Sequence, residues 1–130
     1  AAVLLGTDNQ DADYIKRLVD FLLEIDIDMA EFSILTPFPH TPVTATYEKE
    51  GRILHKDWSR YTTAEVVYKP KNMSPETLQE MYHYAWEMFY KETPQSLRMS
   101  RLFSEVVKKE MADGSYVPRR LSEDRSWDVR

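Results

Sequence analysis

Phe32-Ser33-Ile34-Leu35-Thr36-Pro37-Phe38-Pro39-His40-Thr41-Pro42 reads as a buried strand that runs into a turn stiffened by three prolines. Proline fixes φ and removes an amide donor, so Pro37, Pro39 and Pro42 hold the backbone to one extended, then turning, path. In α/β proteins, ligand contacts gather on rigid loops at the carboxyl ends of strands. A plain strand exit can have the same residues, so the surrounding sequence has to decide between the two.

Upstream, Ala2 to Leu5 is a short apolar run closed by Gly6, the pattern of a buried strand. A polar, acidic stretch follows, in which Asp8 or Asp11 can cap a helix and suit the positive end of its dipole. Tyr14, Ile15, Leu18, Val19, Leu22 and Leu23 then recur at helical spacing, with Lys16, Arg17 and Asp20 outside, which predicts a helix over Ala12 to Ile25. Ile27 to Met29 makes the turn, and Ala30 to Leu35 is the second strand. Strand–helix–strand order implies a right-handed parallel crossover. Alternation puts Phe32 and Ile34 on one face, Ser33 and Leu35 on the other.

Downstream, Thr41-Pro42 and Ser74-Pro75 are helix starts, a capping hydroxyl before a first-turn proline, and Thr93-Pro94 is a third. The first helix is expected to end near Gly51 and the last near Gly114. Leu78, Met81, Tyr82, Ala85, Trp86 and Phe89 form one apolar stripe; Leu97, Leu102, Phe103, Val106 and Val107 form another. Residues 52–63 read as a loop anchored by Trp58 and Tyr61, and Ala64 to Tyr68 has strand propensity. Beyond Gly114 the chain is polar and charge-rich and is expected to be partly disordered, with Tyr116 and Trp127 able to dock.

The proline-rich stretch resembles the last barrel strand and following loop of radical S-adenosylmethionine enzymes. It is most similar to their cobalamin-binding, methylase-like subgroup, which usually has glycine where this chain has His40. Val3-Leu4-Leu5-Gly6-Thr7-Asp8 is similar to the preceding strand and its glycine turn. Gly51-Arg52-Ile53-Leu54, Asp57-Trp58-Ser59 and Pro70-Lys71-Asn72-Met73-Ser74-Pro75-Glu76 follow the same pattern in the same order. The resemblance runs from Ala1 to about Tyr90.

That resemblance implies an α/β fragment, the last strand–helix–strand of a partial TIM-type barrel over residues 1–40. A mostly helical carboxy-terminal region over 41–113 and a polar tail over 114–130 would follow. It implies S-adenosylmethionine, a [4Fe–4S] cluster and, in this subgroup, cobalamin as cofactors of the parent protein. It places Gly6, Asp8, Ser33, Leu35, Thr36 and Pro37 on the side of the adenosine and His40 on the substrate side. The residues alone leave alternatives: Gly6 as a turn glycine, Asp8 as a helix cap, and the strand residues as core. No residue of this chain is assigned to the chemistry itself or to a metal.

Composition bounds the rest. The 130 residues carry a formal net charge of −5, which argues against nonspecific nucleic-acid binding, and Arg119-Arg120 is offset by Glu123 and Asp124. There is no cysteine, so this chain cannot supply the Cys-x3-Cys-x2-Cys cluster motif or any disulfide. His40, His55 and His83 are dispersed rather than grouped as metal ligands, and the six methionines read as gap-filling residues. No apolar run approaches the ~20 residues that span a bilayer, no signal peptide is visible, and a cytoplasmic setting is expected.

The expected partners are therefore the rest of a parent chain and a small-molecule or lipid substrate. Two barrel strands without their neighbours expose unpaired edges, so the isolated chain is expected to self-associate. The competing expectation is a free-standing α+β interaction module whose amphipathic helices receive a partner helix.

Overall fold

The structure, a computed structural model, describes residues 1–92 and 94–116. From residue 117 onward the expected polar tail, with Trp127, lies outside the described residues.

The element order is β1 (Ala2–Leu5), α1 (Ala12–Glu24), β2 (Glu31–Ile34), α2 (Pro42–Lys49), a short 3-10 turn at Trp58–Arg60, α3 (Pro75–Phe89) and α4 (Gln95–Asp113). β1 and β2 pair in parallel, with Val3 opposite Phe32 and Leu5 opposite Ile34. The capping chemistry read from the sequence sets the starts of α1, α2 and α3, while α4 follows Pro94 without a side-chain cap and Thr93 lies outside the described residues. Asp11 accepts from the Tyr14 amide, Thr41 from Thr44 and Ser74 from Thr77. Asp11, rather than Asp8, is the α1 cap. Gly114 ends α4 in the left-handed conformation.

The core lies between the strand pair and α1 and α3. Leu5, Phe32 and Ile34 meet Ile15, Val19, Leu22, Leu78, Ala85 and Phe89. Phe32 packs edge-to-face on Trp86 at 5.6 Å and on Phe89 at 5.9 Å. The Tyr90 hydroxyl donates to the Ala30 carbonyl at 2.7 Å and accepts from its amide at 3.2 Å, closing the entry to β2.

Three expectations change. Ala64 to Tyr68 forms no strand: only an isolated antiparallel bridge joins Tyr68 to Ile53. The side chains of Val66, Val67 and Tyr68 are buried all the same, so their apolar character reports burial and not extended pairing. Tyr61 is a buried anchor, but Trp58 is 48% exposed. The apolar stripe of α4 is only partly covered among the described residues: Leu102 and Val107 are half-buried, and Leu97, Phe103, Val106 and Met111 are exposed. No helix of the described residues is long and apolar enough to cross a membrane.

Candidate functional site

The two parallel strands end side by side, and Arg52, Tyr68, Lys71 and Asn72 reach the turn that follows β1. Pleating sends alternate side chains to opposite faces. Leu5, Phe32 and Ile34 face the helices and are buried. Ala2, Leu4, Glu31, Ser33 and Leu35 belong to the other face, where Leu4 is 49% exposed and Ser33 and Leu35 are half-buried. The helices therefore cover one side of the sheet and leave the other open.

At the end of β2, Leu35 donates to the Leu5 carbonyl at 2.9 Å and extends the pairing by one residue. The Thr36 hydroxyl turns back onto the Ile34 carbonyl at 3.0 Å. Pro37 is fully buried, and the Phe38 amide reaches across it to the Thr36 carbonyl at 2.9 Å, a three-residue turn that the proline ring favours. The Phe38 carbonyl accepts from the hydroxyls of Thr41, at 2.9 Å, and Thr44. The start of α2 thus holds the loop from below, and the Phe38 ring is left 45% exposed. His40 adopts φ 64°, the left-handed region that glycine enters freely. The turn keeps that geometry with histidine in place. The imidazole is exposed and lines a shallow depression with Thr41, Thr44 and Glu48.

At the end of β1, Gly6 has φ 89°, and a Cβ there would run into the Tyr68 hydroxyl and Leu78. Both the conformation and the packing call for glycine. The Tyr68 hydroxyl donates to the Gly6 carbonyl, and burial pushes its pKa up. Gln10, 8% exposed, uses its carboxamide as a substitute strand neighbour. Its oxygen accepts from the Gly6 amide at 2.7 Å, and its nitrogen donates to the Leu4 carbonyl at 3.2 Å.

Asp8 is held by cations. Arg52 grips it with two nitrogens, at 2.6 and 3.1 Å, and Lys71 approaches at 2.8 Å. The Arg52 hydrogen bond is the main reason that the Asp8 carboxyl is lowered from 3.8 to about 2, with Lys71 adding to it. Arg52 is only 7% exposed. It also donates to Glu50 at 3.0 Å and to the Lys69 carbonyl at 2.7 Å, and its guanidinium lies 3.9 Å over the Tyr47 ring. Burial works against its charge, but Asp8 and Glu50 outweigh that and its pKa is raised. Asn72 completes the grip with a 2.8 Å hydrogen bond to the Asp8 carbonyl.

Of the residues singled out in the sequence, Ser33, Leu35 and Thr36 lie on or at the end of the open face. Pro37 is under the loop, Gly6 is packed against Tyr68, Asp8 is in the charge cluster, and His40 is on the rim beyond Phe38. Arg52, Gln10 and Tyr68 were not singled out for the site. Gly51-Arg52-Ile53-Leu54 entered only as part of the family pattern, and an isolated arginine carries no sign of a carboxylate 44 positions away. Among the described residues, no three His, Cys, Asp or Glu side chains gather as metal ligands.

No family model matches the chain. It is 33% identical over 79 residues to the bacteriochlorophyllide d C-12(1)-methyltransferase of Chlorobaculum tepidum, a match covering 61% of this chain and 17% of that one. It is 28% identical over 87 residues to an uncharacterized methyltransferase of Pyrococcus horikoshii, covering 67% and 19%. It is 34% identical over 61 residues to the bacteriochlorophyllide d C-8(2)-methyltransferase of Chlorobaculum tepidum, covering 47% and 14%. The chain spans less than a fifth of the length of these curated relatives, and over that span it is similar to methyltransferases.

Proposed function

We propose that this chain forms the carboxy-terminal part of a radical S-adenosylmethionine methyltransferase: the last strand–helix–strand of its barrel, followed by a helical cover. The observation that carries this reading is the one-sided burial of the β1–β2 pair. Barrel strands have helices outside and a lumen inside, and this pair has helices on one face and an open, mixed apolar and hydroxyl surface on the other. The similarity to methyltransferases supports the same reading.

S-adenosylmethionine fits the open strand ends. Adenine is flat and largely apolar, and it is held by apolar contact with a few placed polar groups. Leu35 and Phe38 offer the apolar surface, and Ser33 and Thr36 the hydroxyls. Asp8 fits a ligand role less well, because Arg52 and Lys71 already engage its carboxylate. The [4Fe–4S] cluster does not fit this chain, which has no cysteine; under this reading its ligands would come from another part of the parent protein. Cobalamin and the identity of the substrate likewise rest on the parent protein.

Anaerobically purified full-length protein, given a reductant and methyl-labelled S-adenosylmethionine, is expected to bind and consume it. The 130-residue chain alone is expected to consume none. Turnover by the isolated chain, or a full-length protein with no affinity for S-adenosylmethionine, would overturn the proposal.

One observation favours a second reading. The exposed stripe of α4, with Leu97, Phe103 and Met111, suits an interaction module. Under that reading the full-length protein binds no S-adenosylmethionine, so the same experiment separates the two.

A further inference from the structure

We infer that Arg52 is a positioning residue: it sets the Gly6–Asp8 turn from outside the sheet and so shapes the strand-end site, an inference that rests on that site taking S-adenosylmethionine. Gln10 holds the amide side of the turn: its Oε1 accepts from the Gly6 and Thr7 amides at 2.7 and 3.2 Å, and its own amide donates to the Thr7 carbonyl at 3.0 Å. The Gly6 and Asp8 carbonyls and the Asp8 carboxylate are held instead from far along the chain. Tyr68 holds the Gly6 carbonyl, Asn72 the Asp8 carbonyl, and Arg52 the Asp8 side chain.

Arg52 is the hub of that set. Its Nε is fixed by the Lys69 carbonyl, one terminal nitrogen is shared by Asp8 and Glu50, and the other meets Asp8. Tyr47 of α2 lies under its guanidinium plane and stacks on Tyr68, with ring centroids 5.0 Å apart. A planar, two-pronged grip fixes direction as well as distance, which a lysine ammonium cannot do. Apolar residues of the same volume could stabilise the fold as well as this pair does, so the inference drawn from it concerns orientation. The segment over residues 47–72 thereby fixes the carbonyl side and the Asp8 end of the turn, where Gln10 makes no contact.

The test uses full-length protein with R52M, R52K and a control, R60Q, which breaks only the surface pair between Arg60 and Glu65. Amide hydrogen exchange is followed over residues 6–9 and over α3, and S-adenosylmethionine binding is measured by equilibrium dialysis. R52M is expected to speed exchange in the turn and to weaken binding, each by about tenfold or more, with α3 unchanged. R52K, which keeps the charge and loses the grip, should recover less than half of either effect, and R60Q should match wild type. If R52M does not fold, R52K carries the test alone. Unchanged exchange in the turn overturns the inference whether or not ligand binds. Faster exchange with wild-type affinity overturns the positioning role and leaves Arg52 a stabilising residue. Faster exchange in a protein whose wild type does not bind overturns the ligand half alone, and with it the proposed function.

Discussion

Gly6 follows β1 directly and His40 lies in the loop beyond β2, and both have positive φ for different reasons. At Gly6 the space a Cβ needs is taken by Tyr68 and Leu78. Gly6→Ala should therefore combine backbone strain with overpacking and cost about 3 kcal/mol or more in urea unfolding. Tyr68→Phe keeps the ring and removes only the donor to the Gly6 carbonyl, so a loss of about 1–2 kcal/mol is expected. Equal losses for the two would contradict this account of the glycine. His40 has open surroundings, and only its backbone is strained. His40→Gly is expected to gain up to about 1 kcal/mol in the same experiment, since glycine enters this conformation freely. A loss instead would mean that the imidazole makes a contact that holds the turn.

Among the elements, what was local in the sequence was legible. The α1 stripe, the proline-led helix starts and the strand alternation each follow from residues a few positions apart, and the structure has them within a residue or two. What depends on distant partners was not. Val66, Val67 and Tyr68 look like a strand because a buried segment and a paired one use the same residue types. Asp8 reads as a cap or a site carboxylate, and only the fold brings Arg52 and Lys71 to it. The strands and the turns that follow them were legible; the cluster that holds the β1 turn was not. That cluster makes the link between the β1 turn and residues 47–72 sensitive to acid. The unfolded Asp8 carboxyl binds its proton near 3.8, the folded one near 2. Its stabilisation is thus complete above about pH 4 and drains away as the pH falls to about 2. Asp8→Asn should flatten the stability profile in that window and leave its slope at neutral pH unchanged. An identical acid slope in wild type and variant would show that the pairing carries no stability.

At the scale of the whole molecule, the open face and outer edge of β1 dominate. Gln10 covers that edge at the Leu4 carbonyl and the Gly6 amide, and among the described residues no third strand pairs along it. The isolated chain is therefore expected to self-associate through β1, as exposed strand edges do. Leu4→Lys places a charge on the open face and should shift sedimentation toward monomer. A wild-type chain that sediments as a clean monomer at high concentration would contradict the open-edge reading. The same open edge is what an upstream barrel strand would cover. The most direct measurement is to sequence the source reading frame upstream of the Ala1 codon. A frame that continues into Cys-x3-Cys-x2-Cys is the expected result. A start codon at that point, with no cysteine motif in the frame, would contradict the barrel and leave the interaction module as the surviving reading.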